Sequence, residues 1–276
     1  MSMRSVKLLA RLPLLALFMI AGCGSGKPAD KPASPESTLA QLAQPPEPPK
    51  TGNGSVIGDK VGETEFSYRW PQVAANSHDL DRWLRGNGER LRKETMDSAS
   101  EDEAQAKKAG YPFRGHSYEE EWGVAADLPA LLVMQSEGYV FTGGAHGMPI
   151  VTTLIWDKAA KKRLATTALL DTPALITAIK DRFCKLLDAE RAKRRGAPVD
   201  PKDPNQLADF VRCVDLAKQT ILPVSAKGRT LDTIRVVIMP YEAGPYSEGI
   251  YQIDLPVDAA ILATVKPVWR GSFSAG

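Results

Sequence analysis

Two β-type runs joined by a glycine-rich turn constrain this chain more than any other stretch. Residues 131–156 read LLVMQSEGYVFTGGAHGMPIVTTLIW. Leu132, Val133, Met134, Tyr139, Val140 and Phe141 precede the turn, and Ile150, Val151, Thr152, Thr153, Leu154, Ile155 and Trp156 follow it. β-Branched and aromatic residues in such runs fit a pleated, half-buried surface, so the stretch predicts adjacent antiparallel strands. The turn, Thr142-Gly143-Gly144-Ala145-His146-Gly147, can adopt positive φ and pack where a Cβ would clash, which implies that something is held close to it. His146 reads either as a turn imidazole bonded to local backbone or as a contact to a ligand or partner. A phosphate cradle fits poorly, because no Gly-Lys-Ser/Thr follows and a strand rather than a helix comes next.

The start of the chain bears on where such a fold would sit. Arg4, Lys7 and Arg11 lead into an apolar run over residues 12–20, shorter than the roughly 20 residues of a membrane span and fit for an export leader. The run ends in Ile20-Ala21-Gly22-Cys23, which resembles the lipobox of bacterial lipoproteins. The resemblance implies removal of residues 1–22 as a signal peptide and lipidation of Cys23. Gly24 in place of Asp implies sorting to the outer membrane, facing the periplasm, with the lipid as the only attachment to the membrane. Residues 23–58, rich in Pro, Ala and Ser and centred on Pro45-Pro46-Glu47-Pro48-Pro49, then read as a disordered tether of about 3 Å per extended residue. Without the three leader cations, 32 of the 35 basic residues face 33 acidic ones. A chain that close to neutral has no basic excess to suggest a nucleic-acid partner.

From residue 59 onward the patterning predicts an α+β fold, with antiparallel sheets, helices packed on one face, and two α/β halves (59–150 and 151–276) joined by the central hairpin. Phe66, Tyr68 and Trp70 alternate with polar residues, as in a half-buried strand. Asn76 or Ser77 caps a helix carrying Leu80, Trp83, Leu84 and Leu91, with Gly86 and Gly88 weakening its middle. Residues 117–126 and 130–141 read as a hairpin. In the second half, Asp171-Thr172-Pro173 starts a helix with Leu175, Ile176, Ile179, Phe183, Leu186 and Leu187 on one stripe, and its basic end, residues 191–195, suits the negative end of the helix dipole. Asp203-Pro204 opens an expected second helix bearing Leu207, Phe210, Val211 and Val214. Strands follow at 230–239 and 247–255, with a short helix at 258–265.

Cys184 and Cys213 are the two thiols other than Cys23. Each falls on the apolar side of one of these expected helices, in an oxidising compartment, which predicts a disulfide. His78, His116 and His146 show no metal-ligand spacing, and nucleophile elbows, Walker loops and dinucleotide fingerprints are missing. No cofactor, metal or catalytic residue is therefore expected. Glu119-Glu120-Glu121 leaves a glycosidase open, since that chemistry needs only two carboxylates, although a charge run beside a strand is usually a solvated face.

The turn has a companion. Phe141-Thr142-Gly143-Gly144-Ala145-His146-Gly147 is followed about ninety residues later by Met239-Pro240-Tyr241-Glu242-Ala243-Gly244-Pro245-Tyr246-Ser247-Glu248-Gly249. Together they resemble the paired signature of the RsiV-like extracytoplasmic family, which includes the ectodomain of a lysozyme-sensing anti-sigma factor and the accessory region of the peptidoglycan deacetylase PdaC. The resemblance, over about residues 59–269, implies a non-catalytic module that binds a lysozyme-type muramidase or peptidoglycan. Thr142, Gly143, Gly144, His146, Gly147, Tyr241, Glu242, Tyr246 and Glu248 would form the binding rim. Sigma-factor inhibition is not expected, because only 22 residues precede Cys23, and deacetylation is not expected without a separate deacetylase domain. The alternatives are a wall-glycan hydrolase acting through paired carboxylates and a structural envelope lipoprotein with a protein partner. Residues 59–150 hold 16 acidic and 10 basic side chains and residues 151–276 hold 14 and 19, so the first half could steer a cationic lysozyme. The two signature segments are expected to meet, with His146 bonded to a tyrosine hydroxyl or to Glu242 or Glu248. Oligomeric state is not legible.

Overall fold

The computed structural model describes residues 54–203 and 207–276. The leader, Cys23 and most of the tether lie outside the described residues, as does Pro204. Among the described residues, nine strands form two sheets. The larger has the order β1 (Ser55–Val61), β2 (Thr64–Trp70), β3 (Ser117–Asp127), β4 (Leu131–Phe141), β5 (Met148–Asp157), β6 (Lys162–Leu164), and the smaller has β7 (Thr220–Val224), β8 (Thr233–Ile238), β9 (Tyr251–Pro256). The first strand starts at Ser55, inside the stretch read as tether, because Val56, Ile57 and Val61 among polar neighbours pair antiparallel with β2.

The helices are α1 (Gln72–Ala75), α2 (His78–Ala109), α3 (Thr166–Leu169), α4 (Thr172–Arg195) and α5 (Ala259–Ala263). Every strand pair in the two sheets is antiparallel but β2–β3, which is parallel. A parallel pair needs a crossover connection, and α2 supplies it. Asp79 and Asp81 in its first turn and Lys107 and Lys108 in its last complement the helix dipole, and Gly110 ends it at φ 76°. The helix runs unbroken through Gly86 and Gly88. Gly88 is there because a Cβ would lie 2.7 Å from the Tyr68 ring and 2.8 Å from Ile57, so the residue read as a weakness is what lets helix and sheet touch. None of the described helices is long and apolar enough to cross a membrane.

Alternation along β4 and β5 sends neighbouring side chains to opposite faces. Leu132, Met134, Leu154 and Trp156 pack with Phe66, Tyr68, Trp70, Leu80 and Leu84 under α2. Leu131, Val133 and Ile155 join the second cluster, built from α4, the small sheet and α5. The central hairpin is therefore buried on both faces at its far end and carries the signature turn at its open end. In α4, Leu175, Ile179, Phe183 and Leu187 are fully buried, at about 1.5–3 kcal/mol each relative to exposure. Asp171 caps this helix by accepting from the Ala174 amide, with Pro173 in the first turn.

Among the described residues, the second helix expected after residue 203 does not form. Described residues there make one 3-10 turn, Ala208–Phe210, and Leu207 is 66% exposed. The backbone is pinned instead, by the disulfide from Cys213 to Cys184 of α4, with Cα atoms 5.4 Å apart, and by Arg195, whose Nη1 donates to the Phe210 carbonyl at 2.9 Å. Residues 220–224, not read as a strand, form β7.

Candidate functional site

The two signature segments come together at the open end of the central hairpin. The Tyr246 hydroxyl donates to the Gly147 carbonyl at 2.9 Å, and the rings of His146 and Tyr246 lie 4.1 Å apart. His146 Nδ1 donates to the same carbonyl at 2.9 Å. That leaves Nε2 of the neutral ring as an acceptor, facing the Tyr241 hydroxyl at 3.4 Å. The Tyr241 ring is tilted against that of Tyr246, with 5.8 Å between centroids. His146 and Tyr241 are exposed, whereas Gly147 is buried. A Cβ on Gly147 would lie 2.4 Å from Tyr139 Cζ and 2.5 Å from the Val140 carbonyl oxygen, and its amide donates to the Tyr139 hydroxyl at 2.7 Å. Burial and the Tyr139 phenol push the Tyr246 hydroxyl up to about 12.

The two glutamates of the second segment do not reach His146. Glu242 accepts from Gln219 Nε2 at 2.7 Å. Glu248 is held by Arg195, with contacts of 2.8 and 3.0 Å to its two oxygens, and accepts the Tyr251 hydroxyl. Burial acts to raise Glu248, but the bonds from Arg195 and Tyr251 outweigh it and hold the carboxyl below its ordinary value. Glu248 therefore holds the loop from behind, while Glu242 stays exposed. Thr142 and Gly144 are exposed, and Gly143 turns the chain at φ 85°.

Sequence reading missed the clamp behind this loop. Arg191, fully buried, donates from Nε to the Ala243 carbonyl at 2.9 Å, and burial lowers its pKa against the pull of Asp188. Arg194 donates to the carbonyls of Glu248 and Ile250 and lies 3.9 Å over the Tyr251 ring. Arg195 adds a bond to the Ala243 carbonyl at 3.2 Å. The signal was spacing. Leu175, Ile179, Phe183, Leu187 and Arg191 recur every four residues, so Arg191 continues the buried stripe rather than merely ending the helix.

One further feature singles out the rim. Tyr241 has φ +72°, a left-handed conformation that is rare for a bulky side chain. Its amide bonds the Gly244 carbonyl at 3.0 Å, and Gly244 admits no Cβ because Glu248 Oε2 would lie 1.9 Å away. A tight loop thus forces an aromatic ring outward.

Residues 58–149 match the family model described as Deacetylase PdaC. This stretch is a PdaC domain. It carries the first signature segment, and the second lies beyond the matched residues. Two solved structures are similar over most of the chain. A DUF3298-family protein of Bacteroides fragilis is 17% identical, with a TM-score of 0.47, covering 80% of this chain and 98% of its own. A DUF3298-family protein of Pseudomonas aeruginosa is also 17% identical, with a TM-score of 0.40, covering 82% and 97%. No curated protein matches the chain.

The glutamate run beside Trp122 separates by strand pleat. Glu119 is exposed, while Glu120 points to the other face and is buried, accepting the hydroxyls of Tyr118 and Ser136, each at 2.6 Å. Among the described residues, no group of three His, Cys, Asp or Glu is placed to hold a metal ion.

Proposed function

We propose that this chain is a non-catalytic lipoprotein of the cell envelope, anchored through Cys23 to the outer membrane and facing the periplasm. Its PdaC-type domain binds a lysozyme-type muramidase or peptidoglycan through the rim formed by His146, Tyr241 and Tyr246. The observation that carries the reading is Tyr241: 49% exposed, held at positive φ and tilted against a second tyrosine ring. Strain of this kind persists where surrounding structure enforces it, and it clusters at ligand sites. Tyrosine is also a frequent anchor of protein interfaces, since it offers large rigid area and a polar tip. The acidic excess of residues 59–150 adds attraction for a cationic muramidase.

The test is a pull-down of lysozymes and of purified sacculi with the purified chain, alongside Tyr241→Ala. Capture by the wild type and its loss in the variant support the reading. Equal capture by both, or release of soluble muropeptides from the sacculi by the wild type, overturns it.

A further inference from the structure

A second site lies on another part of the molecule, between the first half of α2 and the β5–β6 turn. It is a cleft of about 740 Å³, within the range of small-molecule sites. Five cations line it, Arg82, Arg90, Lys161, Lys162 and Arg163, against one acid, Asp79. This concentration sits beside a half of the chain that is otherwise acidic. Asp79 lies 3.3 Å from Lys161 and 3.7 Å from Arg82, and Arg90 pairs outside the lining with Glu94. Lys162 and Arg163 have no acidic partner among the described residues. Arg163 lies 4.5 Å over the Trp83 ring, which holds the guanidinium in place while leaving its N–H fork for an oxyanion. The apolar part of the wall comes from Trp83, Trp156 and Gly86, and a Cβ at Gly86 would meet open space.

The turn that carries these cations is itself constrained. Asp157 Oδ1 accepts from the amides of Ala159 and Ala160 at 3.0 and 2.8 Å, and Lys161 then takes φ +52°. Lys161 and Tyr241 are the two non-glycine residues with positive φ among those described. One stands at the rim and the other at this cleft.

We propose that the cleft binds an anionic saccharide, a sugar unit against the tryptophan-lined wall with its carboxylate or phosphate groups on Lys162 and Arg163. The volume exceeds what a bare anion fills, and the charge excess repels a cationic muramidase, so this site is separate from the rim. Wall glycan bearing peptide carboxylates and phosphorylated glucosamine disaccharide share this chemistry.

Calorimetric titration of the purified chain tests the assignment, using a muropeptide from digested sacculi, a phosphorylated glucosamine disaccharide, neutral chitobiose and inorganic phosphate as probes. At least one anionic saccharide should bind, more weakly at high salt, and neutral chitobiose should not. Lys162→Gln and Arg163→Gln should each weaken binding by about tenfold, as for loss of one charge-assisted contact, with unchanged melting temperatures. The tighter of the two saccharides identifies the source. No binding of either, undiminished binding in both variants, or equally tight binding of inorganic phosphate or chitobiose overturns the proposal. Lys162→Gln and Arg163→Gln should leave capture of lysozyme at the rim unchanged, so failure of the rim and failure of the cleft are read separately.

Discussion

The hydroxyl of Tyr246 donates to the carbonyl of Gly147 across 99 positions of sequence. That bond ties the family-matched first part of the chain to its second half. It depends on the bare Cα of residue 147, because the hairpin strand presses Tyr139 against it. Gly147→Ala should therefore push Tyr139 or the turn aside, at about 1–3 kcal/mol for overpacking, seen as a clear fall in melting temperature. His146→Ala should cost less than about 1 kcal/mol, because the imidazole is exposed and its loss strands no buried group. A histidine variant that melts as low as the glycine variant would contradict this ranking.

How much of this was legible in the sequence depends on the range of the interactions. Phe66, Tyr68 and Trp70 alternate, and Leu175 to Leu187 repeat every four residues, so local period alone exposes that strand and that helix. The meeting of Gly147 with Tyr246 was legible only because both segments are turn-rich and form a family signature. A tyrosine hydroxyl, Glu242 and Glu248 are all candidate partners of His146 in the sequence, because nothing local reveals that Arg195 already holds Glu248. The failed helix after residue 203 shows the same limit, since helical spacing at Leu207, Phe210 and Val211 is overridden by a disulfide and by an arginine on another element. The cationic cleft was invisible, as Arg82 and Arg90 lie far in sequence from Lys161, Lys162 and Arg163.

The disulfide between Cys184 and Cys213 closes a separation of 29 residues, and a loop of that length is worth about 3–4 kcal/mol in the chain-entropy view. Intact-mass measurement after alkylation without reductant should show no labelled thiol in the folded protein. A Cys184→Ser/Cys213→Ser variant should melt well below the wild type, since Cys213 anchors a segment with little helix or strand of its own. Two labelled thiols in the untreated protein would refute the pairing.

Acid should loosen the second signature segment. Glu248 is held below its ordinary 4.5, as burial is outweighed by Arg195 and Tyr251. Asp232 is held below 3.8, as burial is outweighed by the Ala226 amide, the Thr233 hydroxyl and the Lys227 amide. A carboxyl depressed in the folded state contributes stability above its unfolded pKa and loses it as pH falls through the folded one. The melting temperature should thus hold from neutrality to about pH 5 and drop below about pH 4. Glu248→Gln should melt lower at neutral pH and show a shallower acid limb. Parallel acid limbs in the two proteins would remove Glu248 from this account.

Tyr241 offers the sharpest separation of stability from binding. Its left-handed backbone costs a bulky residue about 1–2 kcal/mol, a strain that glycine does not bear. Tyr241→Gly relieves that strain but forfeits the ring packed beside Tyr246 and the weak contact to His146. Because the ring is half exposed, the two effects should nearly cancel, leaving the melting temperature within a few degrees of the wild type. Capture of lysozyme or sacculi should nevertheless be lost, since the outward ring is what the strain maintains. Thermal melts and the pull-down on one preparation check both halves. A large fall in melting temperature would make Tyr241 a structural strut, and retained capture would move the contact elsewhere on the rim.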